Sequence, residues 1–371
     1  MVGLALFGVA SCVIAVADAQ STLLIGRTLQ GFAAAFAVPC TLAAVGAAAA
    51  PERRAAAIGA WSGFLMLGFS IGPLLGGAIT HVSGWHTIFW LNALLVFVAF
   101  AGMAFAGKMT PRADGKRRSP ADWIGFFLLA TFMVALIFRL HALPHAWATP
   151  GPVIGPLGLA GVAFVLLLSV EARAEEPLVD LNLFIQREFV IGLIIGSLSM
   201  FSMMSLLLYF NLYAQSPEGL ALTALEAGAS ILPLSATLLA LALSTPAVTA
   251  RVGRRYAIMG GMALVAVASA IIGVAVYGGG MAILAIGFLA MGAGLAVPYA
   301  SAPRLALSAL PLTRTGQGSG ILNACTFLGG GCGVAGGAVA FALDGFTAVL
   351  TLIALVGVIG AALCLWIPET G

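Results

Sequence analysis

The stretch Gly68-Phe69-Ser70-Ile71-Gly72-Pro73-Leu74-Leu75-Gly76-Gly77 lies in an uncharged run over residues 55–80. Glycines at i, i+4 and i+8 fall on one helix face and let another helix backbone approach closely. Pro73 removes one backbone hydrogen bond and kinks the helix. A small-residue packing face accounts for the glycine spacing alone. The fuller pattern, two spaced glycines, a proline and a glycine pair, is much rarer.

The rest of the chain is equally apolar. Of 371 residues, 61% are hydrophobic and 8% charged, 47 are glycine, and the mean hydropathy is +1.12. Soluble domains carry about 25% charged residues, so a water-soluble fold is excluded. Hydropathy predicts about twelve membrane-spanning helices: 3–17, 22–48, 55–80, 86–107, 122–141, 152–171, 189–213, 223–249, 255–277, 280–300, 317–342 and 346–367. Residues 126–137 show no apolar–polar alternation, which argues against barrel strands. The first run lacks the basic n-region of a signal peptide. Cys12, Cys40, Cys325, Cys332 and Cys364 all lie inside apolar runs and read as small apolar residues, so no disulfide or metal framework is expected.

Charge orients these spans, because cytoplasmic loops retain Lys and Arg. One set of alternate connections holds Arg53, Arg54, Lys108, Arg112, Lys116, Arg117, Arg118, Arg173, Arg187, Arg251, Arg254, Arg255, Arg304 and Arg314, which is 14 of the 16 basic residues. The other set holds none. Both chain termini are therefore expected on the cytoplasmic side. Arg27 and Arg139 fall inside spans near their outer ends. The expected organisation is a four-helix bundle over 1–107, a basic linker over 108–121, an inserted helix pair over 122–171, a second linker over 172–188 and a six-helix bundle over 189–371. Lipid headgroups suffice to explain the basic linker, and no nucleic-acid partner is implied.

An offset of 258–260 residues superposes Ser11 on Ser269, Pro39 on Pro298, Pro51 on Pro311, Arg54 on Arg314, Gly76 on Gly336 and Gly77 on Gly337. A duplicated bundle explains the constant offset. The second copy is preceded by the turn Arg251-Val252-Gly253-Arg254-Arg255 and a helix pair whose counterparts would fall before Met1. The expectation is that two helices and a basic loop of a fourteen-span protein are missing.

The stretch at Gly68, Gly72, Pro73, Gly76 and Gly77 resembles the antiporter motif of the major facilitator superfamily. Leu24-Ile25-Gly26-Arg27-Thr28-Leu29-Gln30-Gly31 is similar to the fourth-helix motif of its fourteen-span drug:proton antiporters. Pro51-Glu52-Arg53-Arg54, Trp85 with Phe89 and Asn92, Asp122-Trp123-Ile124-Gly125 and the turn at Arg251, Gly253, Arg254 and Arg255 extend the likeness along nearly the whole chain. The resemblance implies an all-α, two-bundle membrane transporter. It also implies that Arg27 influences proton transfer, that Gln30 and Gly31 belong to the same element, with Gln30 lining the cavity, and that the 251–255 turn gates the cytoplasmic side. The family's first-helix acid and its G-x-x-x-D-R-x-G-R-R loop have no counterpart here, and Ala250 stands where the second-half loop has Asp.

Arg27 has two readings, a functional intramembrane charge and a side chain snorkelling to the headgroups. Arg139, His141 and His145, with Trp147 nearby, read as an interfacial belt. All 13 acids fall in loops or near helix ends, Glu226 and Asp344 being the deepest. Asn92, Met203, Met204, Tyr209, Asn211 and Gln215 form a candidate substrate cavity, since Met and aromatic side chains suit adaptable apolar sites. Packed core or lipid-facing surface remains the alternative for each. Gly292, Gly294 and Pro298, and Gly329, Gly330, Gly331 and Gly333, read as close packing or hinges.

Together these readings give a proton-coupled exporter of amphipathic compounds in a bacterial inner membrane, working by alternating access with no cofactor. An inactive or truncated family member is the first alternative. A membrane-embedded transferase is the second, and it lacks the D-D-x-x-D or H-E-x-x-H spacing such chemistry needs.

Overall fold

The computed structural model describes residues 1–50, 53–106, 123–141, 154–174, 179–311 and 314–367. The expected features at Pro51, Glu52, residues 108–118, Asp122, His145 and Trp147 lie outside these residues. Every extended element among the described residues is helical, as lipid demands of a backbone with no water to bond. The helices are α1 (Val2–Ala15), α2 (Gln20–Ala48), α3 (Arg54–Ser83), α4 (His86–Ala106), α5 (Trp123–His141), α6 (Ile154–Glu171), α7 (Arg187–Gln215), α8 (Ala224–Ser230), α9 (Leu232–Val252), α10 (Arg254–Val274), α11 (Gly280–Ser308) and α12 (Thr315–Leu363).

The twelve expected spans reappear with two changes. The span at 223–249 is divided into α8 and α9 at Ile231. The last two spans run through α12, interrupted at Asp344 and Gly345, where the backbone leaves helical geometry. Seven stretches among the described residues are long and apolar enough to cross a membrane, and Val2–Ala15, Ile124–Arg139 and Gly155–Glu171 are shorter apolar helices. Turns form where glycine permits left-handed backbone, as at Gly253 (φ 87°) between α9 and α10.

Two compact units divide the chain. The first comprises Met1–Trp61, Ile71–Ser119 and Leu222–Ala229. In it α1 packs on α2 and α4 around Ile14, Ala15 and Phe89. Gly26 of α2 lies against the Ile14 side chain, and a Cβ on Gly3 would stand 3.1 Å from the Ala33 carbonyl oxygen. Lipid tails are as apolar as leucine, so helix association draws on such close packing and on interhelical hydrogen bonds.

The second unit comprises Ser62–Ser70, Pro120–Ala221 and Ser230–Gly371. Here α7 and α12 are tied by side chains of α7 donating to α12 carbonyls: Ser197 to Cys325 at 2.9 Å, Ser205 to Gly333 at 2.6 Å and Tyr209 to Val334 at 2.6 Å. The two serines and their two acceptors are equally spaced, so the helices run parallel. Gly329 and Gly333 press on the backbone at Ser197 and Phe201. Gly292 lies against Leu234 and Thr237 of α9, Gly294 against Val265 of α10, and Pro298 against Gly261. At the ends of these helices that carry the basic residues, Arg254 pairs with Glu188 at 2.7 Å, and Arg314 pairs with Asp180.

Candidate functional site

In the first unit a directional chain of hydrogen bonds links α2 to α1. Arg27 donates a long bond of 3.4 Å to the side-chain oxygen Oε1 of Gln30. Gln30 Nε2 donates to Ser11 Oγ at 2.8 Å, and Ser11 donates to the Phe7 carbonyl at 2.7 Å. Gln30 is 6% exposed and Ser11 fully buried. The Arg27 guanidinium carbon also stands 4.8 Å over the centre of the Phe89 ring of α4. Helical spacing explains the local contact, because residues 27 and 30 share a face. Contact with Ser11 follows from Gly26, whose missing side chain lets α2 approach Ile14 and the Ala10 carbonyl. A fixed cation, an amide, a hydroxyl and an aromatic face are thus held together at one level of three helices.

The rest of this motif is less engaged. Gly31 is exposed, with space where a side chain would go. Asn92 is half-buried on α4, one turn beyond Phe89.

The glycine-rich stretch of α3 divides into two kinds of position. A Cβ on Gly68 or Gly72 would meet nothing within 4 Å, and one on Gly76 would only graze Ile88. On Gly77 it would stand 2.6 Å from the Ala224 carbonyl oxygen of α8. A Cβ on Gly228 of α8 would reciprocally stand 2.7 Å from the Pro73 carbonyl oxygen. Two glycine-to-carbonyl contacts, each pair separated by four residues, run the segments antiparallel in the tightest approach their backbones allow.

At the 251–255 turn, Arg251 is exposed, Gly253 supplies the positive φ, and Arg254 reaches Glu188 at the start of α7. Arg255 stands 5.8 Å over the ring of Tyr256.

The candidate cavity residues of α7 take separate places. Met203 is buried, and Met204 touches the position of Gly330. Tyr209 is buried with its hydroxyl on Val334 and its ring beside Phe341 at 5.4 Å. Asn211 donates to the Leu207 carbonyl, and Gln215 donates to Asn211 Oδ1 at 3.3 Å. Tyr209 and Met204 therefore meet α12, while Asn211 and Gln215 pair along α7.

Residues 1–247, more than half of the chain, match the model of the Major Facilitator Superfamily. The chain belongs to that superfamily. Within the Major Facilitator Superfamily it is 28% identical over 338 residues to the tetracenomycin C resistance and export protein of Streptomyces glaucescens, covering 90% of this chain and 62% of that protein. It is 32% identical over 241 residues to the methylenomycin A resistance protein of Bacillus subtilis, covering 64% and 50%. It is 27% identical over 375 residues to the quinolone resistance protein NorB of Staphylococcus aureus, covering 99% and 77%. The chain thus spans less than two thirds of the length of the first two relatives. Among solved structures, the human organic anion transporter MFSD10 (TETRAN) aligns with a TM-score of 0.64 at 19% identity, over 98% of this chain and 75% of that one. A POT family transporter in complex with 5-aminolevulinic acid aligns with a TM-score of 0.64 at 14% identity, over 98% and 79%. At these identities the likeness is one of fold.

Sequence reasoning about this Major Facilitator Superfamily chain singles out Arg27 and Gln30, which the structure brings together. It does not assign Ser11, Gly26 or Gly228 to any site. Ser11 carries a signal as the one hydroxyl of α1, and Gly228 as a glycine one turn from Ala224. Both become informative only once the helices are docked.

Proposed function

We propose that this chain exports amphipathic organic compounds across a bacterial inner membrane in exchange for protons, by alternating access, with both its termini cytoplasmic. The resistance and export proteins among its relatives support the cargo class. The segregation of basic residues to one set of loops supports the orientation.

The observation that carries the coupling is the bond chain from Arg27 through Gln30 to Ser11. A guanidinium stays protonated in proteins, so Arg27 carries no proton itself. Arg27 is exposed, and as a fixed positive charge it favours the ionised form of any carboxyl group brought close. Gln30 and Ser11 hold that charge in one place, and the Phe89 face spreads some of it without neutralising it. Release of a proton at that level is thereby tied to the conformation that presents the carboxyl group.

Reconstitution tests this reading. The purified chain in proteoliposomes should move a hydrophobic cation dye when a proton gradient is imposed, and Arg27→Ala should fall to the level of protein-free vesicles. Efflux unaffected by collapse of the gradient or by Arg27→Ala would overturn the coupled mechanism.

A further inference from the structure

A stretch that only joins two helices usually runs exposed over the protein surface. Between α6 and α7 three side chains are instead buried: Glu171 at the end of α6 is 3% exposed, Asp180 6% and Leu183 3%. Among the described residues no other acid is buried to this extent. Burying a carboxylate is costly, so it is kept where something answers the charge.

Both acids hold the chain to something else. Glu171 Oε2 accepts from the Val179 backbone N–H at 3.1 Å, which draws the chain back against the end of α6. Asp180 Oδ1 accepts from Asn182 N at 2.9 Å and from Asn182 Nδ2 at 3.0 Å, capping the short helical turn Leu181–Ile185. Its other oxygen, Oδ2, pairs with Arg314, the residue that precedes α12. The turn then runs into α7 without a break, with Gln186 N donating to the Leu183 carbonyl at 3.2 Å and Val190 N to the Gln186 carbonyl at 3.1 Å.

Leu183 adds an apolar anchor. It enters a cluster with Phe189 and Leu193 of α7, Ala306 of α11 and Leu322 of α12, and Phe184 meets Phe189 edge-on with ring centres 5.9 Å apart. One short run of chain thus reaches α6, α7, α11 and α12. Without it α6 would be held from one side, since it packs on α5, where Phe132 meets Phe164 at 5.0 Å. Helix α5 in turn reaches α12 where Ile137 lies 3.1 Å from the place of a Cβ on Gly331, midway along the part of α12 before its break. A single attachment there would let the α5–α6 pair pivot, and a second one at the start of α12 removes that freedom.

We propose that Val179–Ile185 is a strap that locks the α5–α6 pair to the second unit, so that any rotation of α7–α12 carries the pair with it. Its three anchors differ in chemistry: a backbone hydrogen bond at Glu171, an ion pair at Asp180 and an apolar plug at Leu183. Asp180 matters most, because one carboxylate caps the turn and holds Arg314 at the same time. Asparagine at that position keeps the shape of the cap and gives up the charge. The strap is independent of the proton coupling assigned to Arg27.

The experiment uses the full chain in nanodiscs, with its native cysteines replaced by alanine and spin labels placed at Val162→Cys of α6 and Leu355→Cys of α12, where the native side chains are 58% and 56% exposed. Double electron–electron resonance should give one narrow distance distribution. Asp180→Asn and Leu183→Ala should each broaden it about twofold or more. In the same variants, backbone hydrogen exchange over residues 165–174 should quicken about tenfold or more, while α9 and α10 exchange as in the wild type. Ile185→Ala trims a 76% exposed side chain of the same turn and should change neither reading. Leu183→Ala serves where Asp180→Asn does not fold. A broad wild-type distribution, or strap variants that match the wild type in both readings, overturns the proposal. An equal rise of exchange in α9 and α10 overturns it as well, because the whole unit would then be loosened rather than one attachment.

Discussion

Gln30 of α2 donates its amide hydrogen to Ser11 of α1 over 2.8 Å, and both side chains are buried. The same amide group accepts from the exposed Arg27, so one glutamine joins that cation to a neighbouring helix. Ser11 in turn is satisfied by the Phe7 carbonyl four residues back. Each donor points away from the arginine, and reversing the amide would face its N–H groups towards the cation. The geometry therefore selects one orientation for Gln30.

Gln30→Leu should lower the unfolding free energy by about 1–2 kcal/mol, since it removes the amide's bonds to both Ser11 and Arg27. A double-mutant cycle with Ser11→Ala, measured by chemical unfolding in detergent, should show a coupling of about 0.5–1.5 kcal/mol. Strict additivity would show that the bond contributes nothing.

The glycines of the α3 stretch should not behave alike. Gly77→Ala puts a methyl 2.6 Å from the Ala224 carbonyl oxygen and should cost about 1–3 kcal/mol. Gly72→Ala meets open space and should be neutral or stabilising by up to about 1 kcal/mol, from helix propensity. Thermal unfolding of the two variants side by side measures the difference, and equal losses would contradict the packing described.

Removing rungs of the α7–α12 ladder should weaken the second unit in small, separable steps. Ser205→Ala and Tyr209→Phe each delete one donor to a carbonyl of α12. Each should cost about 0.5–1.5 kcal/mol in chemical unfolding. A larger loss for Ser205→Ala than for Gly333→Val would be unexpected, because the valine must push the two helix backbones away from each other.

The Arg254–Glu188 pair is mostly buried on both sides, with side-chain exposures of 25% and 22%. Glu188→Gln should destabilise by about 1 kcal/mol at low salt and by less at high salt. Exchanging the charges, Glu188→Arg with Arg254→Glu, should recover some of the loss. Unfolding measured across a salt series checks both statements, and a loss independent of salt would argue that shape rather than charge matters there.

How far the sequence reaches is plain at particular residues. Arg27 and Gln30 are legible as one element because helical spacing alone places them on a common face. The break at Gly253 is legible as a basic turn, and its positive φ explains why glycine stands there. The split of one span at Ile231 leaves a mark only in Pro233, at the start of α9, because hydropathy carries 223–249 as a single run. Arg139 reads as an interfacial side chain from its place near a helix end, and its burial at 9% exposure comes from packing that hydropathy does not carry.

The amino-acid sequence by itself determined that this is a helical membrane protein, where its spans lie, and which pattern of glycines and proline marks α3. Those properties follow from hydropathy, local periodicity and the distribution of charge, all of which are written along the chain. Tertiary structure alone decided that Gln30 meets Ser11, that Gly77 and not Gly72 is closed against α8, and that Arg139 is buried. Each depends on the register and rotation of one helix against another. In a chain whose helices are nearly uniform in hydropathy, that register is set by the fit of small residues and a few hydrogen bonds, which no single segment encodes.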